Sequence, residues 1–189
     1  MVLKFAYFEK PGRENTDAAL MIAKENADIS GITNIIVASS TGETAFKAAR
    51  IFDPDKYNLV IVTHNYGFSD STPQEFDPKI REDLVKRGVK ISTGTLAYSG
   101  VESALQKQFQ AWDFVALFSR LMRTILSEGV KVCHEIVLMA ADTGCIPIGM
   151  DVISVAGTGS GSDSVCLIKS ATSRKFYNAR IKAILAKPL

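Results

Sequence analysis

Cysteine is scarce in this chain. Cys133, Cys145 and Cys166 are the three in 189 residues, an odd and sparse set that argues against a disulfide framework and fits reduced thiols. An excess of one charge is also missing. The 22 Lys and Arg against 20 Asp and Glu leave +2, with no block of like charge. Such a balance gives no electrostatic footprint for nucleic acid or an anionic membrane. No apolar run approaches the length of a membrane span. The start, Met1 to Glu9, is too short and too soon charged for a signal peptide. The expected location is the cytoplasm. The P-loop lysine is absent, and no nucleophile–base–orienter set can be assembled from the sequence.

What is present is the make-up of an ordinary globular protein, 47% hydrophobic and 22% charged. The length suits a single domain over residues 1–189. Apolar β-branched runs at Asn34 to Ala38, Asn58 to Thr63 and Asp151 to Ala156 predict buried strands of a parallel sheet. Leu3 to Phe8, Val89 to Thr95, Ser164 to Ser170 and Ala179 to Ala186 complete the strand set. Helices are predicted from Asn15 or Thr16 to Ile29, from the loop after Ala38 to about Ile51, and from Pro78 to Arg87. A long helical stretch runs from Val101 to Ala141, with breaks expected near Ala111-Trp112 and at Gly129. The alternation implies an α/β fold, a three-layer α/β/α sandwich with a mostly parallel sheet and a late antiparallel strand.

Loops at the carboxyl ends of parallel strands gather at one edge, where ligands usually bind. The most informative is Ser39-Ser40-Thr41-Gly42-Glu43-Thr44, a hydroxyl-rich turn between a buried strand and a helix. Free amides and the positive end of the helix dipole make such a turn an anion site, most often for phosphate. Thr63-His64 with Gly67-Phe68, Thr93-Gly94, and Gly157-Thr158-Gly159-Ser160 belong to loops on the same edge. Gly157 to Gly161 is no dinucleotide fingerprint, because a strand rather than a helix follows it. It reads as a strand-to-strand connection whose backbone can approach a ligand closely.

Other residues are less decisive. His64 could bond a ligand or move a proton, or simply bond a neighbouring loop. His134 and Cys133 are adjacent in a helical stretch and so diverge by about 100°; no metal site is expected. Tyr66, Phe68 and Tyr98 suit a flat ligand or packing under a loop. Trp112, Phe114, Phe118 and Leu121 share a helical face, read as core or as a subunit contact of a homo-oligomer. Glu102, Asp142 and Asp163 are candidate carboxylates that nothing pairs. The role of Glu43, a carboxylate in an anion loop, is open.

The strand, Ser39 to Ala45 and the following Ala48-Ala49-Arg50 resemble the C-terminal α/β domain of pyruvate kinase. There, a Thr/Ser-Gly-x-Ser/Thr-Ala turn holds a phosphate of the sugar-bisphosphate activator. Asp151 to Ala156, the glycine-rich loop and Ser164 to Ile168 resemble the last strands of that domain, while Thr93 to Trp112 has no clear counterpart. No catalytic barrel accompanies these segments, so the resemblance does not carry kinase activity. The chain is similar to a group of stand-alone proteins of this type, found largely in archaea, some of them known with flavin mononucleotide (FMN) in the crevice. The resemblance therefore implies a phosphorylated small-molecule ligand, FMN first, with its phosphate on Ser39 to Thr44. A flavin-dependent oxidoreductase and a sugar-phosphate-binding regulatory module are the alternatives, and whether the chain is an enzyme stays open.

Overall fold

In a computed structural model that describes residues 2–110 and 113–189, the chain forms a seven-stranded sheet covered on both faces. The strands are β1 (Ala6–Phe8), β2 (Asn34–Ala38), β3 (Asn58–Thr63), β4 (Lys90–Thr93), β5 (Asp151–Ala156), β6 (Ser164–Lys169) and β7 (Arg180–Pro188). The helices are α1 (Thr16–Ser30), α2 (Glu43–Ile51), α3 (Pro78–Lys86), α4 (Val101–Phe109), α5 (Phe114–Ile125) and α6 (Glu128–Asp142). The order across the sheet is β1-β7-β6-β5-β2-β3-β4. Only β6 runs against its neighbours; the β1–β7, β5–β2, β2–β3 and β3–β4 pairs are parallel.

The two faces have separate cores. Ala19, Leu20 and Ala23 of α1, Ala45 and Ala48 of α2 and Leu84 of α3 pack on Ile35, Val37, Leu59, Ile61, Ile153 and Val155. On the other face α6 packs Val130, Cys133, Ile136, Val137 and Ala140 onto Ile36, Val60, Val62, Val152 and Ile168. A helix apolar on nearly every side must be wrapped on every side. α5 and the 3-10 turn Ser173–Asn178 close over its outer surface. No helix of the described residues is long and apolar enough to cross a membrane. The three cysteines are free, Cys133 and Cys166 buried.

Several expected boundaries move. The first strand shrinks to Ala6–Phe8 because Asn26 claims both backbone polar groups of Lys4, at 2.9 Å each. The last helical break falls at Leu126 and Ser127, not at Gly129. Ser127 caps α6 by accepting from Val130 N at 3.1 Å, and Gly129 lies inside the helix, where a β-carbon would meet Ser164 Oγ at 2.3 Å. The break expected at Ala111-Trp112, and Trp112 itself, lie outside the described residues. Phe114 and Leu121 are not core, at 91% and 47% exposed; Phe118 packs edge-on against Tyr98 and Phe176.

Candidate functional site

The turn after β2 is built around one hydroxyl. Ser39 N donates to Val62 O at 3.0 Å, which locks the turn to β3. Ser39 Oγ accepts from Gly42 N and Ala45 N, both at 3.2 Å. These are two of the amides that a helix start leaves without intrahelical partners, so Ser39 is a cap rather than a free ligand group. The first-turn amides of Glu43 and Thr44 remain. Gly42 sits at φ 105, with a would-be β-carbon 3.1 Å from Ile80 Cγ2. Its role is to let the turn close under α3. The carboxylate of Glu43 pairs with Arg13 at 2.7 Å, both side chains well exposed. A cation thus answers the negative charge beside the helix start.

The segment from His64 to Asp77 supplies the second wall. Gln74 Nε2 donates to His64 O at 3.1 Å, Gly67 N to Pro73 O at 2.8 Å and Asp77 N to Thr41 O at 3.0 Å. Folded back this way, the loop brings Glu75 Oε2 to 2.7 Å from His64 Nδ1. Ser40 Oγ lies 3.3 Å from His64 Nε2, and Phe68 stacks on the imidazole at 3.7 Å. Thr63 and Thr93 spend their hydroxyls on each other at 2.7 Å, and Arg81 donates to Thr93 at 3.3 Å.

The glycine loop is tied down by the protein itself. Asp163 accepts from Gly12 N at 3.1 Å, Thr158 N at 3.2 Å and Ser164 Oγ at 2.9 Å. A β-carbon on Gly157 would sit 2.3 Å from Gly161 O, and one on Gly161 2.5 Å from Arg13 Cα. These glycines permit close backbone-to-backbone approach within the fold, with the tip at Gly159 and Ser160 left toward the crevice. The other candidate carboxylates are also structural: Glu102 accepts from Gly100 N at 2.6 Å and Asp142 from Ser173 N at 2.9 Å.

The floor comes from α6. Lys131 and Glu135, one turn apart, form a 2.6 Å ion pair with side chains 2% and 4% exposed. Glu135 also accepts from Tyr98 N at 2.7 Å, and the Lys131 ammonium lies 5.5 Å from the Tyr98 ring centre. Burial pulls the Lys131 ammonium below its ordinary range, and Glu135 partly restores it. Tyr98 OH lies 2.5 Å from His134 Nδ1, and the other ring nitrogen reaches Ala179 O at 3.4 Å. Tyr98 is thereby a buried packing ring, not a ligand-facing one, and burial with the nearby Glu135 charge raises its phenol well above the ordinary value.

Burial lowers the His134 imidazole from 6.5, offset in part by Ala179 O and Glu135. Between its folded value and 6.5 the unfolded chain binds the extra proton, so stability falls as pH drops through that window. Thermal melts should show the wild type losing stability below pH 6.5 more steeply than His134→Gln. Parallel curves would assign the acid loss to other groups.

These walls enclose a cavity of about 480 Å³ at the carboxyl edge of the sheet. The first loop contributes Ser39, Ser40, Thr41, Glu43 and Thr44; the second Thr63, His64 and Phe68; the last Gly157, Gly159 and Ser160. Gly42, Gly67, Thr93, Gly94 and Thr158 are outside its lining; Gly42 and Gly67 shape turns at positive φ, while Thr93 and Thr158 spend polar groups internally. Tyr66 is 68% exposed on the loop surface. Sequence reasoning missed Glu75, Arg123, Glu128, Lys131 and Glu135, all of which line it. The one available signal was Lys131 and Glu135, charged at an i,i+4 spacing in an otherwise apolar helix. A second hollow opens at the opposite rim, where Lys169, Lys175, Arg180 and Lys182 surround an open trough; Lys182 is paired with Asp151 at 2.7 Å.

Residues 17–169 match the family described as pyruvate kinase, alpha/beta domain. The chain belongs to that family. Its pyruvate kinase alpha/beta domain match runs from the first turn of α1 to the end of β6 and contains every residue lining the cavity. Outside the match are β1, β7 and Arg13, the residue that answers Glu43.

Proposed function

We propose that this pyruvate kinase alpha/beta domain protein binds a phosphorylated small molecule, with FMN as the first candidate. The observation that carries the reading is the start of α2 at the cavity wall. Ser39 takes two of the first amides, and those of Glu43 and Thr44 are left for an anion beside the hydroxyls of Ser40 and Thr41. The volume lies in the range of small-molecule sites. The stacked His64–Phe68 pair at the rim and the apolar Val62, Leu96 and Ile136 suit the flat ring of a flavin.

A flavin titration followed by absorbance and fluorescence checks the reading. Saturable micromolar uptake is expected. Thr41→Glu adds a carboxylate at an exposed loop position and should weaken uptake about tenfold or more, a loss of about 1.4 kcal/mol. A protein indifferent to FMN, to other nucleotides and to sugar phosphates, or a Thr41→Glu variant with wild-type affinity, would remove the assignment of the anion site.

A further inference from the structure

We propose that Ser40, His64 and Glu75 form a nucleophile, base and orienter that hydrolyse small carboxylic esters or thioesters. The three come from different elements: the turn after β2, the end of β3, and the far end of the loop that folds back over it. Nothing in their sequence spacing announces them. Glu75, when ionised, can only accept, so His64 Nδ1–H donates to it across 2.7 Å. In the neutral ring this leaves the lone pair on Nε2 facing Ser40 Oγ at 3.3 Å. That is the tautomer a general base needs, and a serine–histidine distance at the long end of the range is ordinary before substrate binds.

The supports are in place around the three. Phe68 fixes the imidazole plane by stacking at 3.7 Å. Gln74 bridges back to His64 O at 3.1 Å and accepts from Phe76 N at 3.0 Å, which sets the backbone on both sides of Glu75. Ser40 stands in the short turn between a buried strand and a helix start. The Glu43 and Thr44 amides at that helix start can serve an oxyanion, as donors fixed before reaction. The serine and histidine both line the cavity, with Ala38, Val62 and Leu96 offering an apolar surface for a short acyl chain.

The chemistry closes with water as the second substrate. Ser40 Oγ bonds to the acyl carbon as its proton passes to His64 Nε2. The bond to the alcohol or thiol then breaks, and that group leaves with the proton from His64. Water next gives a proton to His64 and its oxygen to the acyl carbon. The acid departs, and Ser40 regains its proton.

This inference goes beyond nucleotide binding and stands without it. The test is labelling of the purified full chain by a fluorophosphonate reagent in phosphate-free buffer, with peptide mapping, alongside hydrolysis of a p-nitrophenyl acyl ester. A single adduct on Ser40 is expected. It should vanish in Ser40→Ala, whose melting temperature reports an intact fold. His64→Gln should slow labelling and ester hydrolysis about 100-fold or more, and Glu75→Gln should slow both by a smaller factor. Labelling absent from Ser40, or equally fast in His64→Gln, overturns the proposal. Nucleotide uptake by an unlabelled protein overturns this inference alone; labelling of a protein indifferent to nucleotides and sugar phosphates overturns the anion-site reading alone.

Discussion

Glu135→Leu is expected to cost roughly 3–5 kcal/mol of folding stability, because it leaves a buried ammonium without its hydrogen-bonded carboxylate. Lys131 is 1% exposed and its only hydrogen-bond acceptor among the described residues is Glu135, at 2.6 Å. Tyr98 N loses its acceptor in the same substitution. The sign of the pH dependence follows from the direction of the shift. Burial already holds the folded Lys131 below its ordinary value of 10.5, while Glu135 opposes this by charge and hydrogen bond. Between the folded value and 10.5 the unfolded chain binds more protons, so stability rises with pH across that window. Removing Glu135 lowers the folded value further and widens the window toward neutrality. Urea melts should therefore show a deficit that is large at neutral pH and shrinks under alkaline conditions. Lys131→Met combined with Glu135→Leu should recover most of the loss, short of about 1–3 kcal/mol for the orphaned Tyr98 amide. A single variant as stable as the wild type would mean that water reaches Lys131 through the cavity and screens it.

The second large effect is expected at Gly161. Gly161→Ala places a β-carbon 2.5 Å from Arg13 Cα and 2.5 Å from Thr16 Oγ1, at φ 70. The left-handed backbone alone costs a non-glycine residue roughly 1–2 kcal/mol. Overpacking against backbone that cannot swing aside adds about 1–3 kcal/mol. Gly159 shares the positive φ, at 73, but a β-carbon there meets nothing within 4 Å. Gly159→Ala should therefore cost only the backbone part. Denaturant melts of the two variants separate the contributions, and equal losses would show that the contact with Arg13 relaxes freely. Gly161→Ala should also loosen the Arg13–Glu43 pair at the mouth of the cavity, while Gly159→Ala leaves it in place.

The strands were the most legible part of the chain. Ile35–Val37, Leu59–Val62 and Val152–Ala156 are buried on both sides of the sheet, so apart from Ser154, whose hydroxyl donates to Cys133 O at 2.8 Å, their side chains are apolar without alternation, and the chemistry of burial shows directly in the letters. Boundaries were less legible where a side chain intervened. Asn26 took the backbone of Lys4 out of the first strand, and Ser127 moved a helix start that Gly129 had suggested. The turn between β2 and α2 was readable because small hydroxyl residues and glycine favour a tight strand-to-helix turn. The assignment of Ser39 as a cap was not, because its hydroxyl reaches Ala45 N only once α2 has formed.

By itself the amino-acid sequence determined the α/β layering, the edge of the sheet where polar loops collect, and the strand-to-helix turn at residues 39–42. These depend on residue type and on neighbours within a few positions. The tertiary structure decided the rest. It brought Glu75 to His64 by folding a loop back on itself, and it closed α6 beneath that loop so that Lys131 and Glu135 became the floor of a cavity. Both outcomes depend on contacts between segments distant in the chain, for which local propensity and spacing carry no signal.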